Sequence, residues 1–269
     1  MKLALPVASE LSAPNVWPAE AIWQAVAPGL AGFTVEILPS IDSTNTELMR
    51  RARAGLVDPV LLVAQLQTAG RGRLGRQWLG AAGSAQALTF SLGLPLRVAD
   101  WSGLSLAVGL SLVHSLHPDL RLKWPNDLYL DGRKLGGILI ETLSVANLRY
   151  VVIGVGLNIG PRDAAGLSTP AAWLRELAPE VDSAQALLRV VPPLVSAILA
   201  FAQHGFAPLR SAYLQRDALA GAEVQLSDGT CGRAAGVDER GALLVQTSAG
   251  LRRVDSAEVS VRPGPASSA

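Results

Sequence analysis

In the stretch Gln67 to Trp78, QTAGRGRLGRQW, the seven residues from Gly70 carry three arginines (Arg71, Arg73, Arg76) and three glycines, with no acid among them. Glycine frees a backbone to approach a ligand closely, and guanidinium groups offer planar, paired donors to phosphate or carboxylate. The same composition suits a solvated surface turn, so the loop alone decides nothing. It is not a Walker A loop, because G-K-[ST] is missing. Gly70 to Gly75 has the spacing G-x-G-x-x-G, but the QWLGAAG that follows is no helix opening. The chain has three lysines, Lys2, Lys123 and Lys134, and two of them lie close together. In a chain that otherwise uses arginine, the lysine in DGRKLGG is a candidate point charge for a phosphate or carboxylate, or else a solvent lysine in a hairpin turn. Lys123 is followed by Trp-Pro-Asn-Asp, where Asn126 and Asp127 can orient a ligand or offer the oxygen atoms that Mg²⁺ requires. Cation, amide and carboxylate in two short motifs, together with the arginine loop, compose a site suited to activating a carboxylate with ATP.

The rest of the composition narrows the field. Across 269 residues, 23 Lys plus Arg face 22 Asp plus Glu, so the positive charge of the loop is local. A general nucleic-acid coat would show a basic face or stripe. One cysteine, Cys231, excludes an internal disulfide framework and any Cys-rich metal site, and fits a reducing compartment. The opening MKLALPVASELSAP is broken by Pro6 and Glu10 and lacks the apolar core of a signal peptide. No uninterrupted apolar run reaches the ~18 residues of a membrane span. A cytoplasmic protein without a membrane partner is the expectation.

Several elements must hold these motifs in place. Residues 1–32 read as a tail with one short helix, AEAIWQAVA. FTVEILPSI is a strand, and Thr44-Asn45-Thr46-Glu47 has the capping-box spacing, which predicts a helix ending near Gly55. VLLVAQLQ is an apolar strand delivered into the arginine loop, and ALTFSLGL is the strand beyond it. WSGLSLAVGLSLVHSL has helical spacing. LRLKWPNDLYL reads as strand, turn, strand, since Pro125 and Asn126 interrupt the extended pattern. RKLGGILIETL and YVVIGVGLNI supply two more strands, the second nearly all apolar and central. TPAAWLREL and the block from Asp182 to Arg216 are helical in pattern, with Pro192-Pro193 as an interruption or an early turn. This order predicts an α+β fold, a mixed sheet covered by helices. Past Asp217, short strands broken by Asp228-Gly229, Asp238 to Gly241 and Ala249-Gly250 predict a small antiparallel barrel. The expected domains are 33–216 and 217–263, with a disordered tail at 264–269.

STN (Ser43 to Asn45), QTAGRGRLGRQW, KWPNDLYLDGRKLGGILIE (Lys123 to Glu141) and GVGLNI (Gly154 to Ile159), in that order and followed by a small barrel, closely resemble the biotin protein ligases, also called biotin-[acetyl-CoA-carboxylase] ligases. The resemblance covers roughly residues 33–262. It implies a catalytic domain like that of class II aminoacyl-tRNA synthetases and an SH3-like C-terminal barrel. It also implies biotin, ATP and Mg²⁺ as ligands, and a biotin carboxyl carrier protein of acetyl-CoA carboxylase as partner. Biotin would first become biotinyl-5'-adenylate, and a carrier lysine would then take the biotinyl group.

Carried over motif by motif, the resemblance implies that Ser43, Thr44 and Gln67, with neighbouring Asn45, bond the ureido head and nearby polar atoms of biotin. Arg71 and Arg73, in the loop opened by Gly70, would sit over the carboxylate and phosphate. Arg76 and Trp78 would lie nearer the nucleoside. Lys134 would be the main catalytic cation, with Lys123 beside it in the second motif. Gly136 and Gly137 would let their strand lie against the ligand. Asn126 and Asp127 would assist nucleotide and metal binding, Asp127 also orienting the carrier lysine, and Asn158 would reach the purine or ribose. His114, His117 and His204 lack ligand spacing and read as structural or solvated. In the barrel, Ser256-Ala257 precedes Glu258 where the family commonly has Ser-Gly-Glu, so that turn is expected to differ. The 32 residues before the first strand are too short for the DNA-binding domain many relatives carry, which implies the monofunctional type without DNA as a partner. A homodimer is left open. Rival readings are a lipoate or octanoate ligase, which needs a long apolar slot, and a non-catalytic protein that binds biotin or its adenylate.

Overall fold

The computed structural model of the chain describes residues 16–78, 86–161, 170–255 and 261–263. The N-terminal tail to residue 15, the segment 162–169, the turn at Ser256 to Glu258 and the tail 264–269 lie outside the described residues. In chain order the elements are α1 (Ala19–Val26), β1 (Thr34–Leu38), α2 (Thr44–Arg53), β2 (Val60–Ala64), β3 (Ala87–Pro95), α3 (Leu104–Leu116), β4 (Arg121–Lys123), β5 (Asp127–Leu130), β6 (Arg133–Val145), β7 (Leu148–Asn158), α4 (Ser183–His204) and α5 (Arg210–Leu214). The last strands are β8 (Glu223–Leu226), β9 (Cys231–Val237), β10 (Leu243–Thr247), β11 (Gly250–Val254) and β12 (Val261–Pro263). The seven-stranded sheet runs β1-β2-β3-β7-β6-β5-β4, with β7 at its centre as expected. Only β1 and β2 run parallel; the other neighbours are antiparallel.

A period of two divides the sheet. Leu61 and Val63 of β2 and Val151, Ile153, Val155 and Leu157 of β7 join the large core with α1, α3 and α4. Their alternates, Val60 and Leu62 of β2 and Tyr150 and Val152 of β7, join Leu48, Met49 and Ala52 of α2 on the opposite face. Side chains of successive strand residues point to opposite faces, so a strand covered on both sides reads as a continuous apolar run. Farther along the α2 face, β7 changes character and presents Gly154 and Gly156. Cross-strand register puts Ser91, Gly154 and Leu139 in one row, and Thr89, Gly156, Gly137 and Asp127 in the next.

Three local expectations change. The α2 cap is Ser43, whose side chain accepts from the Thr46 N–H, one residue before the expected Thr44. Glu47 pairs with Arg50 and Arg51 instead of reaching back to the cap. TPAAWLREL yields, in its described part, only a 3₁₀ turn at Leu174–Glu176. The backbone of Pro170 to Ala172 bonds to Lys134 as an added strand and is not free to wind. Pro192 and Pro193 lie inside an unbroken α4. The carbonyls they leave without a helical donor belong to Leu188 and Arg189, which are exposed and can use water. Helix α4 has the length and composition of a membrane span, with mean hydropathy 1.7, but half of that window is buried. It is a core helix laid between α1 and α3.

The five-stranded antiparallel sheet β11-β10-β9-β8-β12 forms the C-terminal unit, and its Val224, Leu226, Ala234, Val237, Leu243, Val245 and Val254 are continuous with the large core. The chain crosses into it along the sheet edge: Leu122 N–H donates to the Arg216 carbonyl, and Ala218 N–H to that of Leu122. Gly241 lies against Gly103, and the buried Trp124 indole donates to the Gly241 carbonyl at 3.0 Å.

Asp217 sits at this crossing. One carboxylate oxygen accepts the Leu219 N–H at 2.8 Å, and the other is buried with no hydrogen-bond partner among the described residues. Burial pushes its pKa up, the Leu219 bond partly offsetting. A raised folded pKa means that stability is complete below the unfolded value of about 3.9 and declines as pH rises through the folded one. Asp217→Asn keeps the Leu219 acceptor without the charge. Its melting temperature is expected to exceed that of the native chain by about 2–4 °C at pH 7 and to converge with it at pH 3. Melting curves at the two pH values check this, and a variant less stable at both would refute the reading.

Candidate functional site

The α2 face of the sheet, where β7 gives up its side chains, gathers two groups of polar residues. The first is built at the start of α2. Gln67 Oε1 accepts from the Thr44 N–H at 2.8 Å and lies 3.1 Å from Thr44 Oγ1. Ser91 Oγ is 2.7 Å from Thr44 Oγ1 and 2.6 Å from Asn45 Oδ1. Asn45 Nδ2 donates to the Leu139 carbonyl and to Glu141 Oε2. Ser43, Thr44, Asn45 and Ser91 are all buried, and every member of the group except Glu141 is neutral. Gly154 makes the arrangement fit, since a Cβ there would come 2.1 Å from Asn45 Oδ1.

The second group is charged. Lys134 Nζ lies 2.6 Å from Asp127 Oδ1, over the row where Gly137 has no side chain. A Cβ on Gly137 would stand 3.4 Å from that nitrogen and 3.5 Å from that oxygen. Arg73 reaches Asn126 Oδ1 at 3.3 Å, and the Asn126 amide is fixed by donating to the Ile138 carbonyl. Burial lowers the pKa of Arg73, Arg76 adds to the effect, and Asp127 opposes it. A guanidinium remains charged at neutral pH even so.

The arginine loop joins the two groups. Its ends are tied by Trp78 N–H to the Gly70 carbonyl and Gly72 N–H to the Arg76 carbonyl, and Arg71 faces Gln77 in a bridge. A Cβ on Gly70 would meet the Trp78 carbonyl at 2.4 Å. The turn needs positive φ at Leu74 and Gly75. From this hairpin Arg73 points to the charged group. Arg71 points the other way, onto Glu141 Oε1 at 2.7 Å and Thr46 Oγ1 at 3.2 Å. The Trp78 indole covers Gly156, where a Cβ would come 2.4 Å from the ring.

Of the residues singled out in the sequence, Ser43, Thr44, Asn45, Gln67, Gly70, Arg71, Arg73, Trp78, Asn126, Asp127, Lys134 and Gly137 come together. Others stand differently. Gly136 clears space for the Gly156 carbonyl and Leu157, each 2.6 Å from a Cβ placed there, so strand packing accounts for it. The Asn158 side chain is buried and donates to the carbonyls of Ala172 and Lys134, bracing the backbone that carries the lysine. Lys123 lies over the Tyr129 ring at 5.3 Å, and Arg76 is exposed. Ser91, Glu141, Gly154 and Gly156 were not singled out. Glycines alternating with Val155 and Leu157 are the signal that could have found Gly154 and Gly156; the pattern of β3 and β6 marks neither Ser91 nor Glu141. Among the described residues no group of three His, Cys, Asp or Glu could hold a metal ion.

A sequence model of the biotin/lipoate A/B protein ligase family matches residues 37–158, and one of the biotin protein ligase C-terminal domain matches 223–262. The chain is similar to the biotin--[acetyl-CoA-carboxylase] ligase of Paracoccus denitrificans, with 35% identity covering 83% of this chain and 98% of that one. It is 34% identical to the bifunctional ligase/repressor BirA of Escherichia coli, over 87% of this chain and 75% of the relative. The solved biotin protein ligase of Aquifex aeolicus in complex with biotin and ATP superposes with a TM-score of 0.73 at 28% identity, covering 86% of this chain and 99% of that one. The motifs, the two-part architecture and these likenesses converge: the chain belongs to the biotin protein ligase family.

Proposed function

We propose that this chain joins biotin to ATP and passes the biotinyl group to one lysine of a biotin carboxyl carrier protein of acetyl-CoA carboxylase. A biotin carboxylate oxygen bonds to the α-phosphorus as pyrophosphate leaves. The carrier amine then bonds to the acyl carbon, AMP leaves, and the amine loses a proton. The observation that carries the reading is the gradient along the glycine-lined face, from neutral donors and acceptors at the buried Thr44, Asn45 and Ser91 and the half-buried Gln67 to cations at Arg73 and Lys134. Biotin has that polarity, a neutral ureido ring at one end and a carboxylate at the other. An octanoyl chain has no donor or acceptor to offer this polar group, and covering it would cost about 1–3 kcal/mol for each donor or acceptor not already paired within the protein.

Carboxylate and triphosphate repel, and the roles of the cations follow from that. Lys134, held by Asp127, neutralises the carboxylate and α-phosphate as they approach, and Arg73 spreads the charge of the in-line centre. Trp78 and the hairpin shield the anhydride from water. Mg²⁺ supplies further neutralisation of the phosphates when it arrives with ATP. The single carboxylate of Asp127 beside the Asn126 amide suits an ion that keeps its waters and travels on the triphosphate.

The decisive test is exchange of pyrophosphate into ATP with Mg²⁺, comparing biotin, lipoate and octanoate at equal concentration. Exchange with biotin alone is expected; exchange with lipoate or octanoate instead, or with no acid, would overturn the proposal. Lys134→Ala is expected to lower biotin-dependent exchange by about 10²–10³-fold with the melting temperature nearly unchanged. Near-native exchange would remove the lysine from the chemistry. Arg73→Ala is expected to slow exchange and to let adenylate escape faster, followed by release of labelled adenylate. A variant with both rates unchanged would reduce the loop to a surface turn.

A further inference from the structure

Glu141 ends the KWPND…GGILIE stretch, and nothing in the proposed chemistry uses it. Its two oxygens have separate tasks: Oε2 accepts from Asn45 Nδ2 at 2.9 Å, and Oε1 accepts from Arg71 Nη2 at 2.7 Å. The direction of the Asn45 amide is fixed independently. Nδ2 also faces the Leu139 carbonyl, which can only accept, and Oδ1 faces the Ser91 hydroxyl. Glu141 thus meets a donor on each side. A carboxylate satisfies both; a glutamine of the same shape has one oxygen and must turn its NH₂ toward one of them. The ion pair is part-exposed, at 46% for Arg71 and 22% for Glu141, where such pairs add little stability. What it fixes is geometry, because Asn45 belongs to the neutral pocket and Arg71 to the arginine hairpin.

We infer that Glu141 is a positioning residue of the acylation site, a two-sided acceptor that locks the arginine hairpin to the ring-binding end of the pocket. This rests on the proposed activity, and the experiment separates the two. Glu141→Gln is compared with the native chain, Arg71→Ala and the double variant, by biotin-dependent pyrophosphate exchange, by melting temperature and by trypsin digestion of the ligand-free protein, which cuts at the hairpin arginines. In the native background Glu141→Gln is expected to raise KM for biotin about tenfold with kcat within about twofold. It is also expected to speed hairpin cleavage several-fold at an unchanged melting temperature. Once Arg71 is gone, the glutamine oxygen has only Asn45 to satisfy, so in the Arg71→Ala background the same substitution is expected to shift KM by less than about twofold. An equal rise in both backgrounds would overturn the inference, as would native KM and native trypsin resistance in Glu141→Gln, or a fall in melting temperature that accounts for the KM change. If the native protein shows no exchange with biotin, the proposed activity fails, and the trypsin and melting comparison still decides whether Glu141 holds the hairpin.

Discussion

A strand covered on both faces can border a ligand only if it gives up side chains on one of them. β7 does this at Gly154 and Gly156 while Val155 and Leu157 keep the other face in the core. The two spaces are taken from different directions, Gly154 by the Asn45 amide from α2 and Gly156 by the Trp78 ring from the arginine hairpin. Gly137 continues the row on β6, Asp127 on β5 and Lys123 on the edge strand β4. The site therefore depends on strand register. A slip of one residue would turn valine and leucine toward the ligand and bury glycines in the core.

The polar groups on that floor are arranged by what each must remain able to do. In the neutral pocket the amides are oriented by partners that can only accept or only donate: the Leu139 carbonyl for Asn45, the Thr44 N–H for Gln67. In the charged group, Asp127 gives Lys134 a partner in the ligand-free protein and Asn126 gives one to Arg73. Both partners are themselves set by the β5–β6 hairpin, so the cations are held by rigid strands and not by the loop alone.

Much of this was legible in the sequence because the chemistry is concentrated in short motifs and the strands are strongly apolar. All seven strands of the main sheet, the central place of β7, the change of texture after Asp217 and the meeting of Arg73 with the Lys134 region could be read. What escaped depends on tertiary context. The fate of TPAAWLREL turned on bonds to Lys134, far away in sequence, and the prolines of α4 were harmless because their missing bonds fall on an exposed face. Asn158 and Gly136 stand in motifs with site residues yet serve the backbone, whereas Ser91 and Glu141 lie in strands whose pattern suggested only packing and exposure. Spacing locates a motif; it does not tell which of its members faces inward.

The Trp124 indole binds the C-terminal unit through the Gly241 carbonyl, and Trp124 lies between Lys123 and the Pro125-Asn126-Asp127 turn. The small β unit is thus a buttress for the Pro125-Asn126-Asp127 turn, joined to it by a buried hydrogen bond and by the core that the two units share. A chain ending before β8 would leave that indole N–H without its acceptor directly behind Asn126. Support would then be removed from the turn whose Asn126 and Asp127 hold Arg73 and Lys134.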